Sequence, residues 1–266
     1  MDPSGKTALL TGATGGLGRA IARELAEHGA TVVLSGRSAE ALTDLAAELP
    51  GDGHRVAPSD LSEPGAAVAL ASEAADADLL IANAGLPGSG RLDSFSHAEL
   101  ERVLRVNLEA PILLARELAP KMVERGLGQL VFVASLAGKA ATARSSLYNA
   151  TKFGLRGFAL ALRQDLAGTG VGVSLVSPGF IREAGLFHDS GARLPPGIGT
   201  RSPEDVARAV AKAIERDSLE VDVAPLPLRL SAELALLAPG IAAKIAAAGG
   251  GHKLADKFAA GQQDKR

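Results

Sequence analysis

The chain has 266 residues, 47% of them hydrophobic and only 3% aromatic, enough to bury one large core made mainly of Ala, Leu, Val and Ile. Lys plus Arg (28) nearly balance Asp plus Glu (30), for a net charge of −2 with no sustained basic run, which argues against a nucleic-acid binder. With no cysteine there is no disulfide or thiolate chemistry, and His28, His54, His97, His188 and His252 include no pair at ligand spacing, so no metal is expected.

No apolar run of signal-peptide length precedes the first Gly-rich turn, and no stretch of about eighteen apolar residues runs unbroken, so a soluble cytoplasmic protein is expected. Short apolar or β-branched runs at 7–12, 31–36, 55–60, 78–85, 128–135, 172–179 and 220–224 read as buried strands. Between them the spacing predicts helices from Gly18 to His28, closed by Gly29, from Ser38 to Leu49, closed by Pro50, and from Ser96 to about Arg125, closed by Gly126. Ser96 with Glu99 marks one helix start, and Ser202 with Pro203 and Asp205 marks another. Pro111 lacks an N–H and crowds the preceding turn, so it must kink the long segment or divide it.

Strands alternating with helices mean βαβ units: an α/β chain with one doubly wound parallel sheet over residues 1–225. Residues 226–266 form a different kind of segment, apolar helical pieces broken by Pro239 and by Gly249 to Gly251. This extension suits an extra wall over a pocket, a dimer arm, or a helix lying on a membrane. The last is least favoured, since the polar positions carry few cations beyond Arg229, Lys244, Lys253 and Lys257.

The stretch LLTGATGGLG puts Gly12, Gly16 and Gly18, with Thr14, Gly15 and Leu17 among them, on the turn from first strand to first helix. Glycine there permits a tight turn and close backbone approach, and the free N–H groups of the helix start suit a pyrophosphate. At the end of the second strand, where an NAD-selective site offers a carboxylate, the chain gives Gly36 and Arg37. Arg37 supplies charge for a 2′-phosphate, so NADP(H) is preferred and NAD(H) possible; the alternative is a solvated residue beside the cap Ser38.

Tyr148 is the chain's only tyrosine, and Lys152 follows it at i+4, on the same face of a helix. A phenol titrating near 10 needs help to exchange a proton at neutral pH, and a nearby ammonium supplies some. Ser135 ends the strand LVFVAS at the carboxyl edge of the sheet, within range of the same substrate oxygen. Singly, Ser135, Asn107, Tyr148 and Lys152 also fit ordinary roles as caps, kinks or surface pairs.

Taken in order, the glycine spacing TGxxxGxG, NAG at 83–85, Asn107, Ser135, Tyr148-x-x-x-Lys152 and PG at 178–179 resemble the short-chain dehydrogenase/reductase family from about residue 5 to 225. The resemblance implies a Rossmann fold with a seven-stranded sheet and hydride transfer between NADP(H) and a carbonyl/alcohol pair. It makes Tyr148 the acid/base, with Ser135 steadying the substrate oxygen, Lys152 also binding the nicotinamide ribose, and Asn107 holding a water that connects Lys152 to solvent. Asp60 and Leu61 would flank the adenine, Asn83, Ala84 and Gly85 would line its ribose, and Pro178, Gly179 and Ile181 would face the nicotinamide. Where relatives commonly carry a cofactor-touching Thr, this chain has Arg182-Glu183-Ala184.

Leu186 and Phe187, between Gly185 and Gly191, suit a lid that closes an apolar pocket, with Leu86, Pro87 and Leu136 at the same mouth. Such walls fit a ketone or alcohol with a bulky apolar body. A homo-oligomer is expected, although the extension replaces the family's usual short C-terminal assembly segment. Two readings compete: an NADP(H)-binding sensor or scaffold without turnover, against which the complete Ser/Tyr/Lys/Asn set argues, and an epimerase or dehydratase, which usually has another glycine spacing and a longer substrate domain.

Overall fold

In the computed structural model, seven parallel strands form one sheet: β1 (Thr7–Thr11), β2 (Thr31–Gly36), β3 (Arg55–Pro58), β4 (Leu79–Ala82), β5 (Gly128–Val133), β6 (Val171–Pro178) and β7 (Glu220–Val223), in the order β3-β2-β1-β4-β5-β6-β7. The structure describes residues 1–191, 194, 198–248 and 251–262. Gly249 and Gly250, where a break in the extension is expected, lie outside the described residues, as does the Lys253 side chain.

Register explains the layers. Val33 lies beside Leu9, Leu9 beside Leu80, Leu80 beside Leu130 and Leu130 beside Val173, so one aliphatic row crosses five strands on a single face. That face packs on α3 (Ala66–Glu73), α5 (Ala110–Arg125) and α6 (Ser146–Asp165). Neighbours one residue along, including Leu10, Leu34, Ile81 and Val131, point to the other face, against α1 (Gly16–Glu27), α2 (Ala39–Glu48) and α8 (Pro203–Arg216). Buried on both faces, the strands therefore read as unbroken apolar runs.

The long helical segment is divided just before Pro111. It consists of α4 (His97–Leu104), a π turn over Arg105–Glu109, and α5. Pro111 has no N–H to offer the Asn107 carbonyl four residues back, so the regular ladder fails there. Ser96 and Ser202 both form complete capping boxes, with Glu99 and Asp205.

Several boundaries differ from the sequence reading. β4 stops at Ala82 because the Asn83 and Ala84 amides turn to the Thr11 hydroxyl, at 3.1 and 3.0 Å, rather than continuing the ladder. β5 stops two residues before Ser135, whose hydroxyl accepts from the Ala137 amide and starts a 3-10 turn over Leu136–Gly138. Helix α3 was not expected from the sequence. It begins at Gly65 in a left-handed conformation with no side-chain cap, so it lacks a start signal. The chain continues through α7 (Gly185–Asp189) and ends in α9 (Leu226–Leu237), α10 (Pro239–Ala248) and α11 (Gly251–Ala260). No helix among the described residues is long and apolar enough to cross a membrane.

Candidate active site

The strand order reverses between β1 and β4, and a cavity of about 1070 Å³ opens beyond their carboxyl ends. Gly12 sits at its floor with φ +65°, a conformation that side chains resist, and a Cβ there would come within 2.9 Å of the Ala84 backbone. The Asn83 amide group fastens this turn by donating to the Thr11 and Gly12 carbonyls, at 3.0 and 3.3 Å. Thr11 thus holds both turns together, a role that its place as an ordinary strand residue concealed.

Every residue expected from the sequence to touch a cofactor borders this cavity: Gly12, Thr14 to Gly18, Arg37, Asp60, Leu61, Asn83 to Gly85, Tyr148, Lys152, Pro178, Gly179 and Ile181. Asp60 is held below the usual carboxylate range, chiefly by hydrogen bonds from the Ser62 hydroxyl (2.7 Å) and amide (2.9 Å), with Arg37 and Arg102 adding to the effect. Arg102, on α4, also lines the cavity; nothing in its sequence context distinguishes it from an exposed helix residue. A parallel bridge joins Ile181 to Arg201 through the Phe180 carbonyl and the Arg182 amide, leaving the Ile181 amide and carbonyl on the opposite edge. Ala184 packs so closely on Gly16 that any side chain at Gly16 would collide with it. An apolar contact thus ties this loop to the glycine turn where relatives commonly have a threonine.

α6 carries Tyr148 and Lys152 up to the same cavity. The loop after β5 is drawn onto α6 by Asn149, whose amide donates to the Ala137 and Ala140 carbonyls at 2.6 and 3.0 Å. Gly138 allows this approach, since a Cβ there would lie 2.7 Å from the Lys152 carbonyl. Ser135 and Tyr148 thereby border the same cavity, and the Ser135 hydroxyl favours ionisation of the phenol. Burial pushes the Tyr148 phenol up to about 12, the Ser135 hydroxyl opposing it, and pushes Lys152 down to about 8. The help expected from the ammonium is not the leading effect: desolvation sets the direction for the half-buried Tyr148 and the buried Lys152 alike.

Asn107 stands behind the cavity wall, 1% exposed. Its side chain accepts from the Leu86 amide at 2.7 Å and donates to the Leu86 carbonyl at 2.9 Å. Its backbone carbonyl, in the π turn, lacks the usual helical partner because Pro111 has no N–H.

A family model described as short chain dehydrogenase matches residues 6–193. The chain belongs to the short-chain dehydrogenase family. It is accordingly an NAD(P)-dependent oxidoreductase. It is 40% identical over 243 residues to the ketoacyl reductase HetN of Nostoc sp. (strain PCC 7120), covering 89% of this chain and 85% of that one. Among solved structures, a short-chain dehydrogenase from Sphingobium yanoikuyae in complex with NADPH aligns with a TM-score of 0.76 at 26% identity, over 93% of this chain and 94% of that chain. A metagenomic short-chain oxidoreductase in complex with NADP aligns with a TM-score of 0.69 at 35% identity, over 84% and 97%.

Beyond the span matched by the short-chain dehydrogenase model, α9–α11 enclose the far end of the cavity. Leu86, Leu136, Leu186 and Phe187 line it as expected, but Pro87 is buried outside the lining, and Leu228, Ala232, Ala243, Ala247 and Phe258 join the wall from the extension. Phe187 stands between Phe180 and Phe258, with ring centres 5.0 and 6.3 Å away. The Gln262 amide donates to the Leu186 carbonyl at 3.0 Å, and Asp256 pairs with Arg144 at 2.6 Å. A third anchor is the buried Lys139, bound to Asp222 and Glu233 at 2.9 Å each and to Glu220 at 3.3 Å. Desolvation lowers its pKa, but the three carboxylates outweigh that and hold it above the ordinary lysine value.

Proposed function

We propose that this dehydrogenase uses NADPH to reduce a ketone on a bulky apolar substrate, with Tyr148 as the proton donor. One observation carries the reading: the hydroxyls of Tyr148 and Ser135 border the same cavity as the glycine turn at one end and the apolar residues of α9–α11 at the other. The glycine turn, Arg37 and the Ile181 backbone are the groups that would hold the cofactor, and the cofactor supplies the hydride. The fit is supported by the crowded Gly12 turn, which only glycine fills, and by relatives crystallised with NADPH and NADP.

Ser135 and Tyr148 orient the carbonyl oxygen between two donors, and the Tyr148 proton passes to that oxygen as it gains charge. Lys152 places a positive charge beneath the phenol and favours the phenolate left behind. The Asn107 carbonyl is suited to holding a water that restores the proton. We assign residues 1–225 to the catalytic domain and 226–266 to an extension that walls the substrate pocket. The aliphatic wall and the Nostoc ketoacyl reductase relative both favour acyl-type ketones over small polar ones.

The test is NADPH absorbance with a panel of bulky and acyl ketones. Turnover is expected in the wild type, with a loss of about a hundredfold or more in Tyr148→Phe and unchanged NADPH binding. If no ketone is reduced while NADPH binds, the chain is a nucleotide-binding protein without turnover; if Tyr148→Phe matches wild type, the proton comes from elsewhere.

A further inference from the structure

Six large apolar side chains stand out on α9 and α10: Leu226, Leu230, Leu234 and Leu237, then Ile241 and Ile245. On α9 they recur every three or four residues, which sets them along one side of the helix, and the same interval continues past Pro239. Leu237 is 85% exposed, the highest value for a large apolar residue among those described. Single exposed leucines are ordinary on protein surfaces, but a run of six along two consecutive helices is a patch.

The inner side of these helices lines the cavity with Leu228, Ala232, Ala243 and Ala247. Both helices are therefore apolar toward the pocket and away from it.

Charge distinguishes between possible occupants. Within 226–262 the extension has two acidic residues, Glu233 and Asp256, and both are bound to cations of the sheet domain, Lys139 at 2.9 Å and Arg144 at 2.6 Å. Arg229, Lys244 and Lys257 are exposed and form no ion pair among the described residues. The outer face thus combines aliphatic residues with cations, and its acids are neutralised from within. Two copies of this face related by a two-fold axis would bring like charges together. An anionic lipid surface matches both the aliphatics and the cations.

We infer that α9 and α10 dock this protein peripherally on an anionic lipid surface, with the helices that wall the cavity in contact with the lipid. This revises the expectation from sequence, in which a membrane contact was least favoured because the extension carries few cations. The docking stands on the surface alone; that it admits an apolar ketone from the lipid layer rests on the function proposed above.

The test is sedimentation of the full chain with phosphatidylcholine vesicles, with and without phosphatidylglycerol. Wild type is expected to sediment with the anionic vesicles and to be released by salt. Leu237→Ser with Ile241→Ser should weaken binding about tenfold or more, at an unchanged unfolding temperature, because each loses a buried aliphatic contact with lipid. Arg229→Glu with Lys244→Glu should abolish the preference for phosphatidylglycerol. Wild type remaining in the supernatant with both vesicles, or the serine variant sedimenting like wild type, overturns the inference. So does a wild-type dimer, insensitive to vesicles, that the serine variant converts to a monomer, since the face then belongs to a second copy. Sedimentation does not depend on turnover: a chain that binds vesicles yet reduces no ketone contradicts the reductase reading alone.

Discussion

Lys152 holds its ammonium 5.6 Å from the centre of the Tyr148 ring and donates to the Val133 carbonyl at 3.2 Å. The lysine therefore acts from beneath the ring, and its own proton is loosened by burial to about 8. Below that pH it is charged and would favour the phenolate that the proposed proton transfer from Tyr148 leaves; above it, that help is lost. The rate of ketone reduction should fall as pH rises through about 8, well before the phenol itself titrates at about 12. In Lys152→Arg, where the charge persists, the fall should vanish even if the overall rate is lower. A pH profile with the same midpoint in both proteins would assign the limb to another group.

The same burial has a consequence for stability. An unfolded lysine titrates near 10.5 and the folded Lys152 near 8, so between these values the unfolded chain binds the extra proton and stability rises with pH. At neutral pH the folded chain bears the full penalty. Lys152→Met should raise stability there by as much as about 3 kcal/mol, while turnover is lost. Denaturant titration at neutral and alkaline pH checks this: the gain should shrink as pH climbs toward about 10.5.

Arg37 is exposed at the end of β2 and borders the cavity beside Asp60. A guanidinium there is expected to pair with a 2′-phosphate through charge-assisted hydrogen bonds. Arg37→Asp should weaken NADPH binding by about a hundredfold and leave NADH nearly unchanged. Parallel fluorescence titrations decide the matter, and equal losses for both nucleotides would place Arg37 away from the phosphate.

Lys139 neutralises three carboxylates from β7 and α9, and it is 4% exposed. Removing its charge leaves Asp222 and Glu220 largely buried beside Glu233, with Arg156 as the remaining cation on Glu220. Lys139→Met should cost about 3 kcal/mol and free α9 from the sheet domain. The expected signs are a lower unfolding temperature and faster proteolysis within 226–248. Unchanged proteolysis at a lowered stability would show that α9 is held by its apolar contacts instead.

The strands and the chemical residues were legible because each depends on few neighbours. A buried parallel strand must be apolar throughout, and the glycine turn, Ser135, Tyr148 and Lys152 stand at fixed distances from strand and helix ends. Asn107 was found by its place in a pattern, but its bond to the Leu86 backbone is a contact across the chain that no spacing reveals. Thr11, Gly138 and Asn149 escaped for the same reason: their importance lies in which loop each one fastens. The tuning of Tyr148 and Lys152 was read from charge alone, and burial, which is a property of the whole fold, set the balance. α3 lacked a cap, and the inward pairing of Glu233 and Asp256 appears only once the extension is folded back.

Phe187 on α7 is stacked on Phe258 of α11, their planes 18° apart, and the Leu186 carbonyl is held by Gln262. The C-terminal helix thus fixes the position of the expected lid, and the shape of this pocket wall depends on that stack. An aromatic pair of this kind is worth about 1 kcal/mol beyond its buried area. Phe258→Ala should raise KM for bulky ketones by about fivefold to tenfold and leave kcat within about twofold, because the proton and hydride groups are untouched. A small ketone, which does not reach the wall, should keep its KM. Phe187→Ala removes the other ring and should give the same selective effect, so a loss shared by small and bulky substrates in either variant would mean that α7 shapes the reacting site itself.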